Sequence, residues 1–142
     1  MAVQWEKSFD TEVAKAFRFL VAELGLSGPS TGGPSAVVYT GGDVWYQVFL
    51  DPATRTVTTR VTKALGTARF TAELPALVVG AALGTADHVR CGARTLAELR
   101  NTVLNQADYV RRLQPYLTPL NVLPLMRAAN AREQPLIQVS PE

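Results

Sequence analysis

The stretch VWYQVFLDPATRTVTTRV, Val44 to Val61, decides the fold. Val44, Tyr46, Val48 and Leu50 alternate onto one face of an extended segment, and Trp45, Gln47 and Phe49 fall on the other. An antiparallel strand with one solvated face is apolar on one side only, so the second aromatic side needs an explanation. The answer depends on DPATR, where Asp51 and Pro52 suit the opening of a type I turn. With Pro52 to Arg55 as a four-residue loop, Leu50 faces Val57, Val48 faces Thr59 and Tyr46 faces Val61. Trp45, Gln47 and Phe49 then stand beside Thr62, Arg60 and Thr58. A three-residue loop reverses the parity and sets Trp45 and Phe49 against Val61 and Val57. The four-residue loop is preferred because it pairs the more apolar side of each strand.

Working outward, β-like runs extend over about Ala36 to Thr40, Val44 to Leu50, Thr56 to Thr62 and Thr67 to Ala72. Gly41 and Gly42 suit a two-residue hairpin loop, which would set Tyr39 opposite Val44, Val38 opposite Trp45 and Val37 opposite Tyr46. In the fourth run Ala68, Phe70 and Ala72 alternate with Thr67, Arg69 and Thr71. Two successive strands therefore offer a Thr and Arg face to which Trp45 and Phe49 belong.

Before the sheet, Phe9, Val13, Ala16, Phe17, Leu20, Val21 and Leu24 recur at helical steps. They predict a helix from about Asp10, its cap, to Leu24, stopped by Gly25. Residues 25–35, rich in Gly, Ser and Pro, read as a flexible loop. After the sheet, the segment Leu74 to Leu83 is a short buried helix or strand. Thr95 and Glu98 form a capping box for a helix of about Leu96 to Gln114, with Leu96, Leu99, Val103, Ala107, Val110 and Leu113 inward. Arg100, Asn101, Gln106, Asp108 and Arg112 lie on its other side, and Pro115 ends or bends it. Asn121 caps a last helix, with Pro124 in its first turn, running to about Ala131. Residues 133–142 read as an extended tail. The fold class is thus α+β: an N-terminal helix, an antiparallel sheet of about four strands and C-terminal helices, in one domain over 1–142.

Composition narrows the function classes. The chain has 142 residues, 47% hydrophobic and 18% charged, which is globular composition. A formal net charge of +2 calls for neither nucleic acid nor a membrane surface. One cysteine, Cys91, excludes an internal disulfide framework, so a reducing cytoplasm is the expected compartment. The start MAVQWEKSFD has no basic region followed by an apolar stretch, so no signal peptide is expected.

Catalytic and metal motifs are missing in type and spacing. Asp87, His88 and Cys91 are metal ligands by type, but no second Cys or His completes a structural zinc set. The bland reading is a polar loop with a semi-buried thiol. His88 has no nucleophile elbow to serve, and GPSTGGPS lacks the Lys and Ser/Thr of a phosphate-cradling loop. No enzyme activity, metal or cofactor is expected. The one constellation that carries forward is Trp45, Phe49, Arg60 and Arg69. Aromatic and Arg side chains dominate protein hot spots and also stack and neutralise nucleic acid. Alternatively, a helix covers this face and the aromatics are core.

The helix FRFLVAELGL, the strands AVVYTGGDVWYQVFLD and TVTTRV, and the helix TLAELRNTVLNQADYVRRLQPYL follow one another over about Phe17 to Leu117. In this order the chain resembles small bacterial α+β domains of unknown function that include immunity proteins of polymorphic toxin systems. The resemblance implies a cytoplasmic protein that acts by binding; it carries no site residues with it. The expected function is therefore a non-enzymatic protein that contacts a protein partner through the Trp45, Phe49, Arg60 and Arg69 face. A small nucleic-acid-binding protein using the same face, and a secretion-chaperone-like dimer, are the alternatives. Where self-association occurs, a two-fold homodimer is the commonest form.

Overall fold

A computed structural model describes residues 4–31 and 35–135, with side chains from Ser8 onward. The sheet is an antiparallel meander in the order β1-β2-β3-β4-β5-β6. Its strands are β1 (Ser27–Thr31), β2 (Ala36–Gly41), β3 (Val44–Asp51), β4 (Thr56–Leu65), β5 (Ala68–Glu73) and β6 (Arg132–Pro135). Helices α1 (Gln4–Ala16) and α2 (Arg18–Ala22) precede it. Helices α3 (Leu74–Gly80), α4 (Leu96–Leu113) and α5 (Val122–Ala128) lie between β5 and β6. The α+β class and the antiparallel sheet agree with the sequence; the described residues form six strands instead of about four.

The turn after β3 has the length that the apolar pattern demands. Leu50 pairs with Val57, Val48 with Thr59 and Tyr46 with Val61, and on the opposite face Trp45, Gln47 and Phe49 pair with Thr62, Arg60 and Thr58. Asp51 Oδ1 accepts the Ala53 N–H at 2.9 Å, and Arg55 closes the loop at a left-handed φ of 55°. The β2–β3 hairpin differs from expectation. Gly41 pairs with Val44, so the loop is Gly42 and Asp43, and Tyr39 stands opposite Tyr46, Val38 opposite Gln47 and Val37 opposite Val48. Only Gly42 takes a positive φ, 48°. This register moves each pairing by two residues, so every side chain keeps its face.

Helices cover one face of the sheet. Val37, Tyr39, Tyr46, Val48, Leu50, Val57, Val61 and Phe70 meet Phe9, Val13, Phe17 and Leu20 from the N-terminal helices, with Leu74, Leu77, Leu99, Val103, Val110, Leu113 and Met126 from the others. One continuous core results. The N-terminal helix is already running at Gln4, so Asp10 is an exposed position within it and not its cap. The helical run breaks at Phe17, and Val21 and Leu24 are exposed instead of lying on the buried stripe. Gly25 does stop the run, at a φ of 74°.

Gln106 is the main correction on α4. It is buried at 1% exposure, not solvated. Its Oε1 accepts the Thr59 hydroxyl at 2.7 Å, and its Nε2 donates to the carbonyls of Val57 at 2.8 Å and Arg90 at 2.6 Å. A buried amide is tolerable only when its donors and acceptor are matched, and here they tie α4 to β4 and to the loop before it. At the start of α4, the Thr95 hydroxyl accepts the Glu98 N–H at 3.0 Å. The Glu98 carboxylate accepts from Arg94 N–H at 2.7 Å, and this bond lowers its pKa. Leu96, placed inward by the periodicity, is exposed.

Leu74–Gly80 resolves as a helix, Pro115 lies in a 3₁₀ turn (Gln114–Leu117), and the last helix ends at Ala128, short of Ala131. Asn121 does not cap it; its Nδ2 donates to Pro115 O and Thr118 Oγ1, both at 3.0 Å. The loop of residues 25–35 contains β1, whose pairing with β2 is interrupted by a bulge between Ser27 and Ser30. The tail of 133–142 begins inside β6, which pairs with β5; residues 136–142 lie outside the described residues.

Candidate functional site

The second face of the sheet has no helix over it among the described residues, because α1, α3, α4 and α5 all pack on the first. Trp45, Phe49, Arg60 and Arg69 all lie on this open face, and all four are half-buried. The alternative in which a helix covers them is thereby corrected for the described residues. Their partial burial comes from cross-strand neighbours. Trp45 stands between Thr40 and Thr62, and Phe49 between Ala36 and Thr58.

Three of the four converge on one shallow cleft of about 290 Å³. It is lined by Trp45, Gln47, Arg60, Thr62, Arg69, Thr71, Arg132 and Gln134. Thr62 and Thr71 pair directly across β4 and β5, and their hydroxyls share a hydrogen bond at 3.0 Å. This pair forms the floor. Trp45 is next to Thr62 on one side and Arg132 next to Thr71 on the other. These two walls are therefore three strands apart, about 14 Å at the usual spacing. Arg60 lies two residues before Thr62 and Arg69 two before Thr71. Since the strands are antiparallel, the two arginines flank the floor from opposite sides.

Phe49 is outside the cleft, on the same face, with the Arg60 side chain against its ring. The Arg60 guanidinium sits 4.9 Å from the centre of the Phe49 ring and 3.3 Å from Glu73 Oε2. With both partners partly exposed, this ion pair contributes about 0 to 1 kcal/mol, so its main effect is to hold the guanidinium in place. Arg69 donates to the neutral Gln134 Oε1 at 3.5 Å. Arg132 and Gln134 are functional candidates that sequence reasoning missed. Both stand on β6, a strand of polar residues with no β pattern.

The cleft opens into a second hollow of about 290 Å³ that shares Arg60, Thr71 and Arg132 and continues past Glu73 to Asn130. Together they make an elongated groove. Larger hollows lie elsewhere. One of about 650 Å³ along α1 mixes Asp10 with Lys15 and Arg18, and one of about 460 Å³ between α3 and α5 is mostly apolar. The first sets its two cations beside a carboxylate and the second has no charged lining, so size alone does not identify a site.

The other sequence candidates separate. Asp87, His88 and Cys91 are exposed, so the thiol is not semi-buried. His88 Nδ1 accepts the Thr85 N–H at 3.4 Å within its own 3₁₀ turn. No group of three or more potential metal ligands occurs among the described residues. No described helix is long and apolar enough to cross a membrane. Comparison with family models, with curated proteins and with solved structures gave no match.

Proposed function

We propose that this is a non-enzymatic binding protein that engages a protein partner through its open sheet face, with Trp45, Phe49, Arg60 and Arg69 as contacts. The observation that carries this reading is a half-buried Trp and Phe on a rigid sheet face with no helix over it among the described residues. Aromatic side chains on rigid strands bury much area at small entropic cost, and Arg adds directional hydrogen bonds. Action would be steric, in keeping with the immunity-type domains that the element order resembles.

The test compares capture from lysate by immobilised wild type and by a Trp45→Ala/Phe49→Ala double variant that remains folded, with a cooperative melting transition above the assay temperature. A protein retained by the first and lost by the second is expected. Equal capture overturns the reading.

Nucleic-acid binding through the same face is the second reading, favoured by Arg60, Arg69 and Arg132 lining one cleft with Trp45. It predicts binding to single strands that weakens steeply with salt.

A further inference from the structure

We infer that the partner presents an acidic, extended segment whose carboxylates enter the groove between Trp45 and Arg132. This rests on the reading of the open face as a protein-binding surface and specifies the chemistry of what binds there.

The argument is one of unmatched charge. Arg60, Arg69 and Arg132 line the cleft, and no carboxylate shares that lining. Glu73, in the adjoining hollow, pairs with Arg60 and with no other cation among the described residues. The only side-chain partner of Arg69 among the described residues is an amide, and Arg132 makes no ion pair among them. Two guanidinium groups therefore stand on neighbouring strands without an anion among the described residues, Arg69 steadied by Gln134 and Arg132 exposed. A guanidinium offers five N–H donors in a planar fork that matches a carboxylate. The Gln47 and Gln134 amides and the Thr62 and Thr71 hydroxyls add neutral groups able to donate beside it.

The shape selects an extended chain. The groove runs from Trp45 past the Thr62–Thr71 floor to Arg132 and on to Asn130, and it is too shallow to enclose a compact ligand. A strand-like peptide spans it with acidic side chains toward the arginines and an apolar one against the indole. A nucleic-acid strand is the weaker fit, because tracking successive phosphates takes a basic stripe and this chain carries a net charge of only +2.

The experiment is selection from a random dodecapeptide display library against three proteins: wild type, Arg69→Gln/Arg132→Gln and Trp45→Ala/Phe49→Ala. Selected peptides are synthesised and titrated by Trp45 fluorescence in a Trp5→Phe background, or by calorimetry where Trp45 is absent. Wild type is expected to enrich Asp and Glu. The Arg69→Gln/Arg132→Gln protein should bind the best peptide at least about tenfold more weakly, as expected for loss of charge-assisted hydrogen bonds.

Neutral or basic consensus peptides, no selected peptide, or an affinity unchanged in the Arg double variant would overturn the inference. If such peptides still require Trp45 and Phe49, the acidic segment alone is wrong and the binding face stands. If they require neither pair, the binding face falls as well. Oligothymidylate bound as tightly as the best peptide would overturn the inference in favour of nucleic acid.

Discussion

Phe49 and Leu50 are neighbours in the chain and belong to opposite regimes. Leu50 is 4% exposed beneath the helices, while Phe49 is half-buried on the open face with an arginine against its ring. The same contrast runs along the sheet: Tyr46 against Trp45, Thr59 against Arg60, Phe70 against Arg69. On the covered face Thr59 is matched inside the molecule by Gln106 and Tyr46 by Gln114, and the Tyr39 hydroxyl alone is buried without a partner among the described residues. On the open face, Arg60 pairs with Glu73, while Arg69 and Arg132 pair with no carboxylate among the described residues. One side is packed into the core, and the other is left without a helix over it among the described residues.

That contrast is broken most directly by alanine at adjacent positions. Leu50→Ala should destabilise by about 2 to 5 kcal/mol, through lost burial and a cavity. Phe49→Ala removes cross-strand contacts and the Arg60 cation–π contact and should cost roughly 1 kcal/mol. Urea denaturation of both variants decides it, and equal losses would show that the two faces are energetically alike.

Next in size is Gln106→Ala. It orphans the Thr59 hydroxyl and the carbonyls of Val57 and Arg90, and should cost about 3 kcal/mol. A lowered midpoint with an unchanged denaturant slope is the expected signature.

Alkaline titration tests the covered face again. Tyr39 is fully buried, its hydroxyl has no hydrogen-bond partner among the described residues, and burial raises its pKa to about 12. The unfolded phenol loses its proton near 10. This contribution is therefore intact below pH 10 and is lost as pH rises toward 12, by about 2 to 3 kcal/mol. Tyr46 shifts in the same direction, by burial, which the hydrogen bond from Gln114 partly offsets. Tyr39→Phe should flatten the decline measured by thermal melts across that range, with little change in stability at neutral pH.

The smallest stability effect belongs to the open face itself. Arg69→Gln/Arg132→Gln should leave the melting temperature within a few degrees of wild type, since exposed charges contribute about 0 to 1 kcal/mol. A large drop would move these arginines from the recognition side of the comparison to the folding side.

Much of this division was legible in the sequence. The alternation through Val44 to Val61 and the four residues Pro52 to Arg55 fix which side faces the core, because a single-residue slip would bury Thr and Arg. Even the misplaced hairpin loop preserved the faces, since its error was an even number of residues. Gln106 was misread by residue type. Its spacing from Val103 and Val110 sets it on the inward stripe, and the buried backbone carbonyls opposite explain why an amide belongs there. Strands β1 and β6 could not be read locally. SGPST and REQP have poor β propensity, and neighbouring strands impose their pairing. With β6 unseen, Arg132 and Gln134 were missing from the candidate site.

Strand β6 also determines when the groove comes into existence. Strands β1 to β5 pair in chain order and close through short loops, so Trp45, Arg60 and Arg69 can be assembled early. Arg69 and Gln134, by contrast, meet across 65 residues that include the later helices. The entropy of closing so long a segment is recovered only when α3, α4 and α5 have docked and returned the chain to β5. A chain halted at the five-strand stage would present the indole and two arginines without the third. The three arginines of the cleft are therefore complete only once β6 has joined the sheet.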